Sequence, residues 1–347
     1  MFSCGKNVSA LVVGMLVDKK LLSYDSKVEE YWPEFGILGK ADITLADVLR
    51  HEGGLNFLEH KFDEMDFSRD NIKAGCVSNW LEMEPAHWDS NPDVSRRAYH
   101  AITRGWILNE IVRRVDPWGR TIGEILYQEV MQEGLFCGLP ESKSHLVAPQ
   151  QAKSMLWLVD QSMLPSFISD RVETSFLDIV QSMWCGDNGM LKAIGCLSGV
   201  KQDPRDACLY FLDDHVRKHE HPSANCNGSA RGLARVAHIM ANNGTDLDGK
   251  KIMSPRTCLE MHKEPKVAID FGFGKHNYPS VVLSALQDAK QISTSHTNNI
   301  VSKGRMGPER HLLGEDSITS GNTKIPTKVK TSWKGLGGMV GWDMEAP

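Results

Sequence analysis

The 347-residue chain lacks several features that would have settled its class at once. No two of its eight cysteines form a C-x-x-C pair, which argues against a zinc ribbon or a dithiol redox centre. They lie scattered between Cys4 and Cys258, as free thiols in a reducing, cytoplasmic compartment would. There is no excess of positive charge: Lys and Arg number 39 against 44 Asp and Glu, for a net charge of −5. A nucleic-acid partner, which would want a basic face, is therefore not expected. No apolar run reaches the eighteen or so residues a membrane helix needs. The short run from Ala10 to Val17 meets Asp18, Lys19 and Lys20 rather than a small-residue cleavage site, so it does not read as a signal peptide. H-E-x-x-H is missing, as are internal repeats. His219-Glu220-His221, with His215 upstream, lies in a polar stretch and reads as solvated; no metal and no cofactor is expected.

What is present is the composition of an ordinary globular protein, 41% apolar and 24% charged. A helix is predicted from Ser3 to Lys19. Val8, Leu11, Val12, Met15 and Leu16 recur at helical spacing, and Val13 and Val17 widen the stripe until the helix must be buried nearly all round. Thr44 caps a short helix to Arg50, and Gly53-Gly54 stops it. A longer helix is expected from Arg97 to Val115, broken by Asp116-Pro117. Thr121 with Glu124 makes a capping box for a helix to Gln132. Ser229 caps a helix to Met240 that Asn243-Gly244 ends, and Ser254-Pro255 opens another. Strand signals are few: residues 267–273 and 338–342. Residues 276–331 are polar and aperiodic and read as a loop or partly disordered insertion.

Chemistry points to Ser3-Cys4-Gly5-Lys6. A serine hydroxyl needs a base before it can act as a nucleophile, and residues i and i+3 share a helix face. A lysine beside it can be that base, and backbone N–H groups at a helix start can hold an oxyanion. S-x-x-K recurs at Ser198-Gly199-Val200-Lys201, but there a polar stretch follows instead of a buried helix.

After Ser3 come Gly14-Met-Leu-Val-Asp18, then Val28 with Tyr31-Trp-Pro-Glu-Phe35. Ile43-Thr-Leu45, Val48-Leu49 and His51-Glu-Gly-Gly-Leu55 complete the run. This order resembles the serine β-lactamase-related family, which includes class C β-lactamases, penicillin-binding carboxypeptidases and lactamase-like esterases. Glu52-Gly53 stands where that family usually has Thr-Ser. The family's second element, a tyrosine opening a helix, resembles Tyr99 in Arg97-Ala-Tyr-His-Ala101; His100 beside it reads as a surface or capping residue. The third, K-T-G or H-x-G before Gly-Gly, is matched by Ser332-Trp-Lys-Gly-Leu-Gly-Gly338, with Trp333 and Gly335 as substrate-binding positions. Residues 227–244 and 247–255 follow the family pattern as well.

The resemblance implies an α+β, β-lactamase/transpeptidase-like fold: an antiparallel sheet flanked by helices with an inserted helical subdomain, here about 60–225, in a single domain over 1–347. The family places strands before S-x-x-K and after the point where this chain stops. An incomplete chain is therefore expected, loosely packed when expressed alone. The implied activity is a serine hydrolase working through an acyl-enzyme. Ser3 is its nucleophile, Lys6 its base and Tyr99 its proton relay. Its substrate would be a small-molecule ester, less readily a peptide, amide or β-lactam. The competing implication is an inactive homologue kept for binding or assembly. Neither reading fixes an oligomeric state.

Overall fold

A computed structural model describes residues 1–88, 96–148, 190–200 and 209–261, together with the backbone of four later strands. The chain opens with a single 3-10 turn, Phe2–Cys4, that runs directly into α1, Gly5–Asp18. α1 is the hub. Val8, Leu11, Val12, Val13 and Leu16 are all buried, as the wide apolar stripe requires. The helices packed on it include α6 (Thr103–Val115), α7 (Ile122–Ile125), α10 (Ala230–Ala241) and α11 (Pro255–Glu260). Smaller helices complete the layer: α2 (Val28–Tyr31), α3 (Leu45–Leu49), α4 (Arg69–Lys73), α5 (Ser78–Met83), α8 (Met190–Ile194) and α9 (Asp214–Lys218).

Helix starts follow local chemistry. Thr44, Thr121, Ser229 and Ser254 each accept a backbone N–H from three residues ahead, satisfying a donor that the first turn leaves without a partner. α10 ends where Asn243 (φ 53°) and Gly244 (φ 81°) turn left-handed. α7 is shorter than expected and passes into a π turn over Leu126–Val130.

Among the described residues, six strands form three antiparallel pairs. β1 (Leu135–Cys137) pairs with β2 (Cys226–Gly228), placing Cys137 opposite Cys226. β3 (Lys266–Asp270) pairs with β4 (His276–Ser280). β5 (Ser332–Gly335) pairs with β6 (Gly338–Gly341), β4 lies beside β5, and β6 lies against α1 and the turn before it. The segment expected as loop from 276 thus begins with a strand, because the polar residues 276–280 gain ladder bonds from β3. Residues 281–331 lie outside the described residues, as do 89–95, 149–189 and 201–208 of the 60–225 segment. Among the described residues no helix is long and apolar enough to cross a membrane.

Two expectations are corrected. The helix predicted from Arg97 begins only at Thr103, and residues 96–100 are irregular. Their backbone donors are taken by tertiary partners: Ala98 N–H by the His51 carbonyl (3.0 Å) and His100 N–H by His51 Nδ1 (3.0 Å). A segment so engaged cannot make i to i−4 bonds as well. Nor is His219-Glu220-His221 solvated, since Glu220 and His221 are fully buried. Arg69 Nε (2.6 Å) and Thr121 Oγ1 (2.8 Å) satisfy one Glu220 oxygen, with Asn109 Nδ2 at 3.4 Å from the other. His221 packs its ring against Phe67 at 4.0 Å. Buried charge of this kind needs such partners, and they come from α4, α6 and the start of α7 rather than from the local stretch.

Candidate active site

Ser3 does not cap α1; neither it nor Cys4 makes a side-chain capping bond. The Ser3 hydroxyl, half-buried in the 3-10 turn, lies instead 2.5 Å from the Tyr99 hydroxyl, 96 residues further on. Lys6, in the first turn of α1, is completely buried, and its ammonium sits 4.8 Å from the centre of the Tyr99 ring. It donates to the carbonyls of Ala101 (2.7 Å) and Ser223 (3.0 Å). The fold therefore brings Ser3, Lys6 and Tyr99 together from two distant segments.

The close approach depends on Gly5. A Cβ built there would stand 2.5 Å from the Pro222 carbonyl oxygen and 2.9 Å from Cys226 Sγ. Glycine thus lets the 222–226 segment reach Lys6 with its Ser223 carbonyl. On the other flank Arg104, also fully buried, donates to the carbonyls of Lys6 (3.2 Å) and Leu49 (3.2 Å) and to Ser9 Oγ (3.4 Å). Burial lowers its guanidinium to about 10.

Tyr99 is held by the turn after α3. His51 (φ 65°) contacts the Tyr99 ring at 4.7 Å between centroids. Glu52 pairs with the buried Arg97 at 2.5 Å, so the carboxylate that departs from the family pattern ties this turn to the tyrosine segment. Arg50 flanks the same carboxylate at 3.2 Å. His100, expected at the surface, is fully buried. Sequence reasoning missed His51, His100, Arg104 and Ser223 as parts of the site. Only the adjacency of His100 to Tyr99 offered a signal.

Trp333 and Gly335 lie in β5, opposite Val340 and Gly338 of β6, the strand that borders the turn carrying Ser3. Their side chains are outside what the structure describes. The second S-x-x-K behaves differently: Ser198 Oγ donates to Asp63 on the surface (2.6 Å), and Lys201 is outside the described residues. Among the described residues no group of His, Cys, Asp and Glu is arranged to hold a metal ion.

A serine and a lysine at the start of a buried helix, a tyrosine brought in from a second segment, and paired strands alongside are carried on a β-lactamase/transpeptidase-like α+β fold. The chain belongs to the Beta-lactamase family, which it matches over residues 1–278. It is similar to the esterase/beta-lactamase LipL of Mycobacterium tuberculosis (strain ATCC 25618 / H37Rv), with 26% identity over 297 residues covering 80% of this chain. Among solved structures it resembles a family VIII carboxylesterase, with 27% identity and a TM-score of 0.59 over 81% of this chain. It also resembles EstA from Arthrobacter nitroguajacolicus Rue61a, with 25% identity and a TM-score of 0.58 over 82% of this chain and 67% of that one. The chain spans 61% of the length of LipL and 65% of the carboxylesterase.

Proposed function

We infer that the protein is a serine hydrolase that cleaves small-molecule esters through an acyl-enzyme. The observation that carries this is the Ser3–Tyr99 contact of 2.5 Å with the Lys6 ammonium over the same tyrosine ring. In the first half-reaction Ser3 Oγ attacks the ester carbonyl carbon and its proton passes to the Tyr99 oxygen. That proton then goes to the departing alkoxide, which leaves as the alcohol. In the second half a water molecule gives its proton to Tyr99 and attacks the acyl carbon; the bond to Ser3 Oγ then breaks, Tyr99 returns the proton to that oxygen, and the acid departs. Lys6, read from the sequence as the base, contributes its charge: it stabilises the negative charge on the Tyr99 oxygen between transfers. Its bonds to two main-chain carbonyls fix that charge in place.

Esters are favoured over β-lactams because Trp333 stands where the family pattern has a cation that would bind a substrate carboxylate. The family VIII carboxylesterase is in keeping with that preference, whereas LipL, an esterase/beta-lactamase, is in keeping with either substrate. A fluorophosphonate probe followed by intact mass tests the assignment, with Ser3→Ala and Ser198→Ala as controls. One adduct on the wild type and on Ser198→Ala, and none on Ser3→Ala, is expected. Equal labelling of Ser3→Ala overturns Ser3 as nucleophile, and no labelling of the wild type favours a binding homologue. Turnover of nitrocefin equal to that of p-nitrophenyl butyrate overturns the substrate preference.

A further inference from the structure

His51 and His100 form a hydrogen-bonded pair directly behind Tyr99, and the bonds define the state of the His100 ring. Leu55 N–H donates to His100 Nε2 (3.1 Å), so that nitrogen is an acceptor. His100 Nδ1 must then carry the hydrogen, which it gives to the Ala98 carbonyl (2.6 Å). His51 Nδ1 accepts His100 N–H (3.0 Å), and the His51 carbonyl accepts Ala98 N–H (3.0 Å). Residues 98 and 100, on either side of Tyr99, are thus pinned at their backbone to one turn, 51–55. The rings are fully buried or nearly so. Gly53 admits the His100 ring: a Cβ there would stand 3.3 Å from Nε2.

We propose that His51 and His100 are positioning residues that hold the Tyr99 oxygen on Ser3, each through a ring nitrogen that accepts a backbone N–H. Both act through Tyr99. The purpose is legible in the backbone: residues 98–100 are not helical, so no helix fixes the tyrosine, and side-chain acceptors from another segment replace it. Misplacing a proton carrier by about 1 Å costs up to a hundredfold in rate.

The inference rests on the reading of Tyr99 as proton carrier, and the test separates the two. Asn places an oxygen where Nδ1 of His51 sits; Gln places it near Nε2 instead. His51→Asn should keep kcat on p-nitrophenyl butyrate within about threefold, whereas His51→Gln should lose about tenfold or more, with KM little changed in both. For His100 the expected order is reversed, because there Nε2 is the acceptor. In a Tyr99→Phe background, His51→Gln should lower kcat no further, since its effect passes through the tyrosine oxygen. Equal kcat for His51→Asn and His51→Gln, with Tyr99→Phe impaired, overturns the proposal and leaves Tyr99 standing. An unimpaired Tyr99→Phe instead overturns the reading of Tyr99 and the positioning proposal with it. Failure of His51→Asn to fold also overturns the proposal, because the retained acceptor should keep the turn intact.

Discussion

Lys6 donates to the carbonyl of Ser223 at 3.0 Å, while the hydroxyl of the same Ser223 accepts Gly105 N–H from the first turn of α6 at 2.7 Å. One residue therefore joins the candidate site to the helix that follows the tyrosine segment. Ser223→Ala keeps the carbonyl but leaves the Gly105 N–H with only its second, longer acceptor, the Ile102 carbonyl at 3.1 Å. We expect a loss of about 0.5–1.5 kcal/mol in unfolding free energy, measured by urea denaturation, with Ser3 labelling retained. An unchanged denaturation midpoint would show that this bond contributes nothing.

Tyr99→Phe removes the oxygen 2.5 Å from Ser3 and little else. Esterase kcat should fall by about a hundredfold to ten-thousandfold, the range of a proton-transfer catalyst. Circular dichroism should be unchanged, because the ring still packs against His51. Burst kinetics with p-nitrophenyl butyrate would locate the loss in acylation.

Gly5→Ala puts a methyl group 2.5 Å from the Pro222 carbonyl oxygen. Neither the helix nor the opposing main chain yields cheaply, so a destabilisation of about 1–3 kcal/mol is expected. The rate of fluorophosphonate labelling should fall too, as the 222–226 segment moves off Lys6. A variant as stable and as reactive as the wild type would contradict the packing described.

Glu220 is the buried centre of a network joining Arg69, Asn109 and Thr121. Glu220→Ala removes the acceptor these donors share, though Arg69 keeps the Cys137 carbonyl and Thr121 keeps Glu124, and should cost about 1–3 kcal/mol, read as a shift in the denaturation midpoint. Glu220→Gln, which keeps an acceptor, should recover part of it. A loss below about 1 kcal/mol would mean that water replaces the carboxylate freely.

Burial pushes His221 from its ordinary 6.5 down to about 3. Below pH 6.5 the unfolded chain takes up a proton that the native chain refuses, so this group lowers native stability progressively from about pH 6.5 to 3. The slope approaches about 1.4 kcal/mol per pH unit. His221→Phe, comparable in size, should flatten the acid side of a plot of Tm against pH. Parallel curves for the two proteins between pH 7 and 4 would refute the assignment.

The cysteine expectation meets the structure in part. Cys4, Cys76, Cys137, Cys196 and Cys226 are free thiols. The hydrogen bond with the Cys226 thiol, and then burial, raise the Cys137 thiol well above its usual range.

The sequence by itself determined what depends on neighbours a few residues apart. The caps at Thr44, Thr121, Ser229 and Ser254 act on N–H groups three positions ahead, and the apolar stripe from Val8 to Leu16 repeats within one helix, so both were readable locally. Ser3 and Lys6 were also named from a local pattern, and Tyr99 from the family resemblance, but not the contact that unites them. Tertiary structure alone decided where α6 begins, because the donors of Ala98 and His100 go to His51, some fifty residues away. It alone paired the three-residue strands β1 and β2, too short to show a period. It also buried Glu220, whose partners Arg69, Asn109 and Thr121 lie 151, 111 and 99 residues distant. A polar side chain in a sequence carries no mark of whether such partners will arrive; only the folded chain supplies them, and with them the free energy that makes its burial tolerable.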